Sequence, residues 1–152
     1  MIERILLAVD DSPSALAAAT VAIDLARRLN AQLLAVNVLA DHLLSTMLAR
    51  ASADPEIAVR RDSSAASVLG HVAHMADRAG VALETQLLEG DVARLVLRTA
   101  RTWHADLLVV GHSDQRAPGE PYVGSQTAHI LEFAEQPVLV VPRFTRDAPV
   151  EG

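Results

Sequence analysis

The stretch LLEGDVARLVLRTARTWHADLLVVG, residues 87–111, decides the fold. Asp91 is a helix N-cap residue, and Val92, Leu95, Val96, Ala100 and Trp103 then recur on one helical face. Residues 107–110, LLVV, follow and are apolar at every position. That pattern suits a parallel strand buried on both faces, where side chains of both parities meet apolar neighbours. A helix leading straight into such a strand is the second half of a βαβ unit.

Working outward, residues 5–9, 33–36 and 138–141 are apolar runs of the same kind. Residues 81–87, VALETQL, differ because Glu84 and Gln86 interrupt them, which predicts a partly exposed edge strand. Ser12-Pro13 reads as an N-cap and first helical residue, with Leu16, Ala19, Ile23 and Ala26 inward and Asn30 as the stop. Ala65, Val68, Leu69, Val72, Met75, Ala76 and Ala79 form a second stripe closed by Gly80. Ser125 opens a last helix, with Ala128, Leu131 and Ala134 predicted inward. Asp54-Pro55-Glu56 reads as a helix start, and the course of residues 40–63 is left open.

This alternation predicts an α/β fold: a five-stranded, mainly parallel, doubly wound sheet of order 3-2-1-4-5 with about four helices on both faces. Residues 1–143 form one domain and 144–152 read as a disordered tail. The last strand should lie at an edge, yet Val138–Val141 is all apolar. A bare apolar edge invites pairing with another chain, so a homodimer through this strand is expected. The alternative is that Pro137 and Pro142 alone protect it.

The chain has 152 residues, 51% apolar and 21% charged, with a formal net charge of −6. It contains no lysine, and its arginines are scattered. This argues against nucleic acid as the main partner, because a phosphate backbone calls for clustered positive charge. With no cysteine, disulfides, thiol catalysis and thiolate zinc sites are excluded. The run ILLAV is too short for a signal-peptide core and no run reaches membrane-spanning length, so a cytoplasmic protein with no membrane partner is expected.

In open α/β sheets, ligands bind beyond the carboxyl ends of the strands where the strand order reverses. Here that crevice falls between the first and fourth strands. The first ends in Asp10-Asp11-Ser12, and the fourth runs through Gly111 and His112 into a loop that delivers Gly124-Ser125, with Gln126 beside them, to a helix start. Free N–H groups and the helix dipole favour an anion at that point.

From ILLAVDDSPSA near the start to QPVLVVP near the end, the chain resembles the universal stress protein family. The opening quotation looks like that family's third strand, helix and fourth strand. The resemblance implies an adenine nucleotide, ATP or a relative, bound at the switch point of a dimeric stress-response regulator with an unidentified protein partner. It also implies that Asp10 sits by the nucleoside and Val36 by the base. The family's phosphate signature is G-x2-G-x9-G-[ST]. Gly111, Asp114, Gly124 and Ser125 reproduce its spacing, with Asp114 in place of the second glycine.

Aspartate tolerates a left-handed turn, but its carboxylate repels phosphate by about 1–4 kcal/mol at 4 Å. Arg116 could offset that charge, and a magnesium ion between Asp114 and the phosphates would reverse its sign. Two readings therefore stand side by side: an adenine-nucleotide module, and a nucleotide-independent dimer or adaptor whose phosphate loop is degenerate and holds no cofactor. Asp10 has a further reading as a helix-start partner, and Val36 as plain core. His71 and His74, three apart on a helix, read as a solvent-facing pair in the absence of a third metal ligand. No nucleophile–base pair, nucleophile elbow or Walker lysine is legible, so no enzymatic activity is assigned.

Overall fold

The computed structural model describes residues 1–10, 12–39, 55–112 and 125–143, and for 55–66 the backbone only. Asp11, residues 40–54 and 113–124, and the tail 144–152 lie outside the described residues. The elements are β1 (Arg4–Ala8), α1 (Pro13–Leu29), β2 (Gln32–Leu39), α2 (Pro55–Arg78), β3 (Leu83–Glu89), α3 (Val92–Trp103), β4 (Leu107–Gly111), α4 (Ser125–Phe133) and β5 (Val138–Val141). The five strands form one sheet of order β3-β2-β1-β4-β5, and every neighbouring pair is parallel.

Alternation along each strand divides the apolar runs between two cores. Ile5, Leu7, Leu33, Ala35 and Val109 pack with the inner faces of α1 and α2, among them Ala18, Ala22 and Val72. Leu6, Leu34, Val36, Leu108 and Val110 pack with Ala93, Val96, Ala100 and Ile130 from α3 and α4. A side chain such as Val96, fully buried here, contributes about 1.5–3 kcal/mol. The runs are continuous because both faces of the central strands are covered.

The helix boundaries follow the capping chemistry. Ser12 Oγ accepts from Ala15 N at 3.2 Å, Pro13 opens α1, and Asn30 closes it in the left-handed region at φ 54°. Asp91 Oδ1 accepts from Arg94 N at 2.9 Å at the start of α3, and His104, φ 60°, closes that helix. Between α3 and β4, Asp106 Oδ2 accepts from both Glu3 N and Arg4 N at 2.9 Å, anchoring the entry to β1. Those two N–H donors hold the Asp106 carboxyl below its usual pKa.

Two expectations are corrected. The edge strand runs from Leu83 to Glu89, two residues later than the sequence pattern suggests, with Glu84 and Gln86 exposed. In α4 the buried residues are Thr127 and Ile130, while Ala128 and Leu131 are exposed. The helix is rotated because Thr127 Oγ1 donates to Gly111 O at 3.1 Å, which turns the adjacent positions outward. At the β5 edge Val138 and Val140 are half-buried and Leu139 is 37% exposed. Among the described residues, no helix is long and apolar enough to cross a membrane.

Candidate functional site

A cavity of about 580 Å³ opens at the carboxyl ends of β1, β2 and β4, where the order reverses between β1 and β4. Its apolar wall comes from Val36, Val38, Val92, Val96, Val110 and Ile130. Asp10, Ser12, His112 and Ser125 supply polar groups around it.

Each polar residue is placed by its element's end. Asp10 leaves β1 and accepts from Ser12 N at 2.8 Å, a short turn that also sets Ser12 to cap α1. His112 follows β4, and its N–H donates to Val141 O at 3.0 Å. Ser125 is exposed at the first residue of α4, a helix start that leaves N–H groups unsatisfied by its own carbonyls. Gln126 Oε1 accepts from Ala93 N at 3.1 Å, so its side chain helps cap α3 and ties the two helices on this face. No arginine borders the cavity among the described residues, and Asp10 is the one carboxylate there. Among the described residues, attraction for an anion comes from helix starts.

Gly111 has a packing reason to be glycine. A Cβ there would meet Ala15 N and the Ser14 carbonyl carbon at 2.9 Å, and Ser14 O at 3.0 Å. These are main-chain atoms of the first turn of α1, so the missing side chain lets that helix start sit against β4. Thr127 pins α4 to the carbonyl of the same residue. The structure thus brings Asp10, Val36, Gly111, His112, Ser125 and Gln126 to one cavity. Asp114, Arg116 and Gly124 lie outside the described residues. His71 and His74 are exposed on α2, and among the described residues no group of three His, Asp or Glu side chains could hold a metal.

The sequence reading missed the far end of β2. It ended the second run at Val36, whereas the strand continues through Asn37 and Val38 to Leu39. β1 stops earlier: its last ladder partner is Ala8 opposite Val36, and Val9 N then donates to Val36 O at 2.9 Å. Alternate residues of a strand turn their peptide groups to the same side, so Val38 faces the β1 side too. No β1 residue stands opposite it, and among the described residues its N–H makes no backbone hydrogen bond on that side. The available signal was the return of apolar residues after Asn37, which marks one polar residue inside a longer strand.

A switch-point crevice in a parallel sheet, with an apolar wall and a helix start at its rim, is where α/β domains of this topology bind small molecules. The universal stress protein family model matches residues 1–142, and the chain belongs to that family. It is 28% identical to a universal stress protein of Methanocaldococcus jannaschii over 93% of this chain and 82% of that one. It is also similar to a solved structure of a family member from Burkholderia pseudomallei, with 30% identity, TM-score 0.68, and coverage of 93% and 96% of the two chains. A family protein from Arabidopsis thaliana with AMP bound has the same fold, with 20% identity, TM-score 0.67, and coverage of 98% and 97%.

Proposed function

We propose that the chain binds an adenine nucleotide in the crevice between β1 and β4 and acts as a dimeric stress-response regulator. The observation that carries this reading is the 580 Å³ cavity at the switch point, lined both by an apolar wall and by the start of α4. An aromatic base suits the valine wall, and a phosphate suits the first turn of α4. The AMP bound to the Arabidopsis relative supports the same ligand class.

Charge sets the order of affinities. Asp10 borders the cavity, and the loop sequence adds Asp114 and Glu120 against Arg116 alone. A monophosphate is accepted without metal on this reading, whereas ATP requires a divalent cation to bridge carboxylate and phosphates. The test is mass spectrometry of small molecules released on denaturation of the purified protein, followed by calorimetric titration with AMP, ADP and ATP with and without magnesium. Absence of binding by all three overturns the reading. It would favour a nucleotide-independent dimer, to which the lack of arginine in the described lining points.

The dimer is proposed through β5. Its half-buried valines, the 37% exposed Leu139, and Leu131 and Phe133 on α4 (43% and 57% exposed) give an apolar edge that a second copy would cover. Sedimentation at micromolar concentration tests it, and a monomer refutes it.

A further inference from the structure

Asn37 is 5% exposed and lies on β2 among buried residues. Alternation sets it on the face of Leu33 and Ala35, the face that carries α1. The cavity reaches round to this face, since Val9, Ser14 and Ala15 border it as well as Asn37. The carboxamide makes no hydrogen bond with any described residue, although it offers two donors and an acceptor oxygen. A buried amide without partners is costly, and native structures rarely leave one. Among the described residues no buried side-chain nitrogen or oxygen is sealed off without a partner, so the small exposed part of Asn37 includes its polar atoms. Asn37 is also one of the residues that border the cavity, which places that space beside it.

Position completes the argument. β2 lies two strands from β4, about 10 Å across the sheet, and α4 is pinned at the end of β4. A nucleotide with its phosphate at the start of α4 therefore carries its base toward the end of β2. There it meets the peptide of Val38, which has no β1 residue opposite it, and, beside it in the chain, the amide of Asn37, which has no hydrogen-bond partner among the described residues.

We propose that Asn37 is the base-reading residue of this site: its Oδ1 accepts from an exocyclic amino group and its Nδ2 donates to the adjacent ring nitrogen. Asparagine makes this paired contact with the N6 and N7 edge of adenine in the DNA major groove. The ligand class is an amino-substituted purine, and the inference rests on the nucleotide reading above. Bases without the amino group leave the Asn37 oxygen desolvated and unpaired, which a built polar site rejects strongly.

The test compares AMP with purine riboside 5′-monophosphate, which lacks only the amino group, by calorimetry on wild type, Asn37→Leu and Asn37→Ala. Wild type is expected to prefer AMP by about tenfold or more. In both variants the two ligands are expected to bind within about twofold of each other, as one neutral hydrogen bond is already lost. The ratio is internal to each protein, so a partly unfolded variant still reports it. A wild-type ratio near one, or an unchanged ratio in both variants, overturns the role of Asn37 while leaving nucleotide binding intact. Failure of wild type to bind either ligand overturns the nucleotide reading, and this inference with it.

Discussion

Gly111→Ala adds one methyl group where the structure has no room for it. The new Cβ would stand 2.9 Å from Ala15 N and the Ser14 carbonyl carbon and 3.0 Å from Ser14 O. Ordinary contact between such atoms begins near 3.4 Å, so each overlap is about half an ångström. None of the three atoms can rotate away, because all belong to the first turn of α1. Relief requires that turn to lift from β4, disturbing the Asp10–Ser12 turn at the mouth of the crevice. Overpacking of this kind costs about 1–3 kcal/mol, which for a domain of this size lowers the melting temperature by about 2–12 °C. Gly70→Ala is the matched control. Gly70 is an exposed residue of α2 with nothing within 4 Å of its missing Cβ. Alanine there should stabilise the helix by about 0.5–1 kcal/mol. Calorimetric melts of the three proteins decide the matter. The reasoning fails if Gly111→Ala melts with wild type, or if Gly70→Ala is the more damaging change.

Three further changes address separate parts of the molecule. Asp106 has a lowered folded-state pKa, so its stabilising contribution is complete above the ordinary aspartate value and is lost as pH falls through the lower folded value. The gap in urea midpoint between wild type and Asp106→Asn should therefore narrow as the solution is acidified below about pH 4, and a constant gap would contradict the role given to the Glu3 and Arg4 N–H groups. Asp114→Gly should tighten metal-free ATP by about 5- to 1000-fold and change AMP less; equal ATP affinities for the two proteins would dismiss the charge argument. Leu139→Arg places a charge on the apolar edge of β5 and should shift the protein to monomer in sedimentation at micromolar concentration, whereas an unaltered dimer would place the interface elsewhere.

The strand order was legible because the central strands β1, β2 and β4 are covered on both faces and, like the apolar edge β5, read as unbroken apolar runs, and because Ser12 and Asp91 announce helix starts chemically. The edges were less legible for the same physical reason. β3 has exposed positions on both faces, so its pattern gives no sharp limit, and its bounds shifted by two residues. In α4 the inward face is set by a hydroxyl reaching the Gly111 carbonyl from sixteen residues away, a contact that apolar periodicity does not encode. The switch-point residues could be found because the ends of β1 and β4 can be read from the chain. The reason for Gly111 could not, since its neighbour is the backbone of α1. Asn37 and Val38 were missed because their significance depends on β1 ending first, a relation between two strands that neither segment contains alone.

That difference in strand length has a practical consequence. What β2 presents beyond the end of β1 is an unfinished ladder, and a molecule seated against Val38 meets peptide groups that every amino acid except proline supplies in full. A scan of the crevice by alanine substitution is therefore blind to this part of it, and would miss any contact that a ligand makes with the main chain there. Val38→Pro deletes the donor, and replacement of the amide at that position by an ester would do so without altering the side chain.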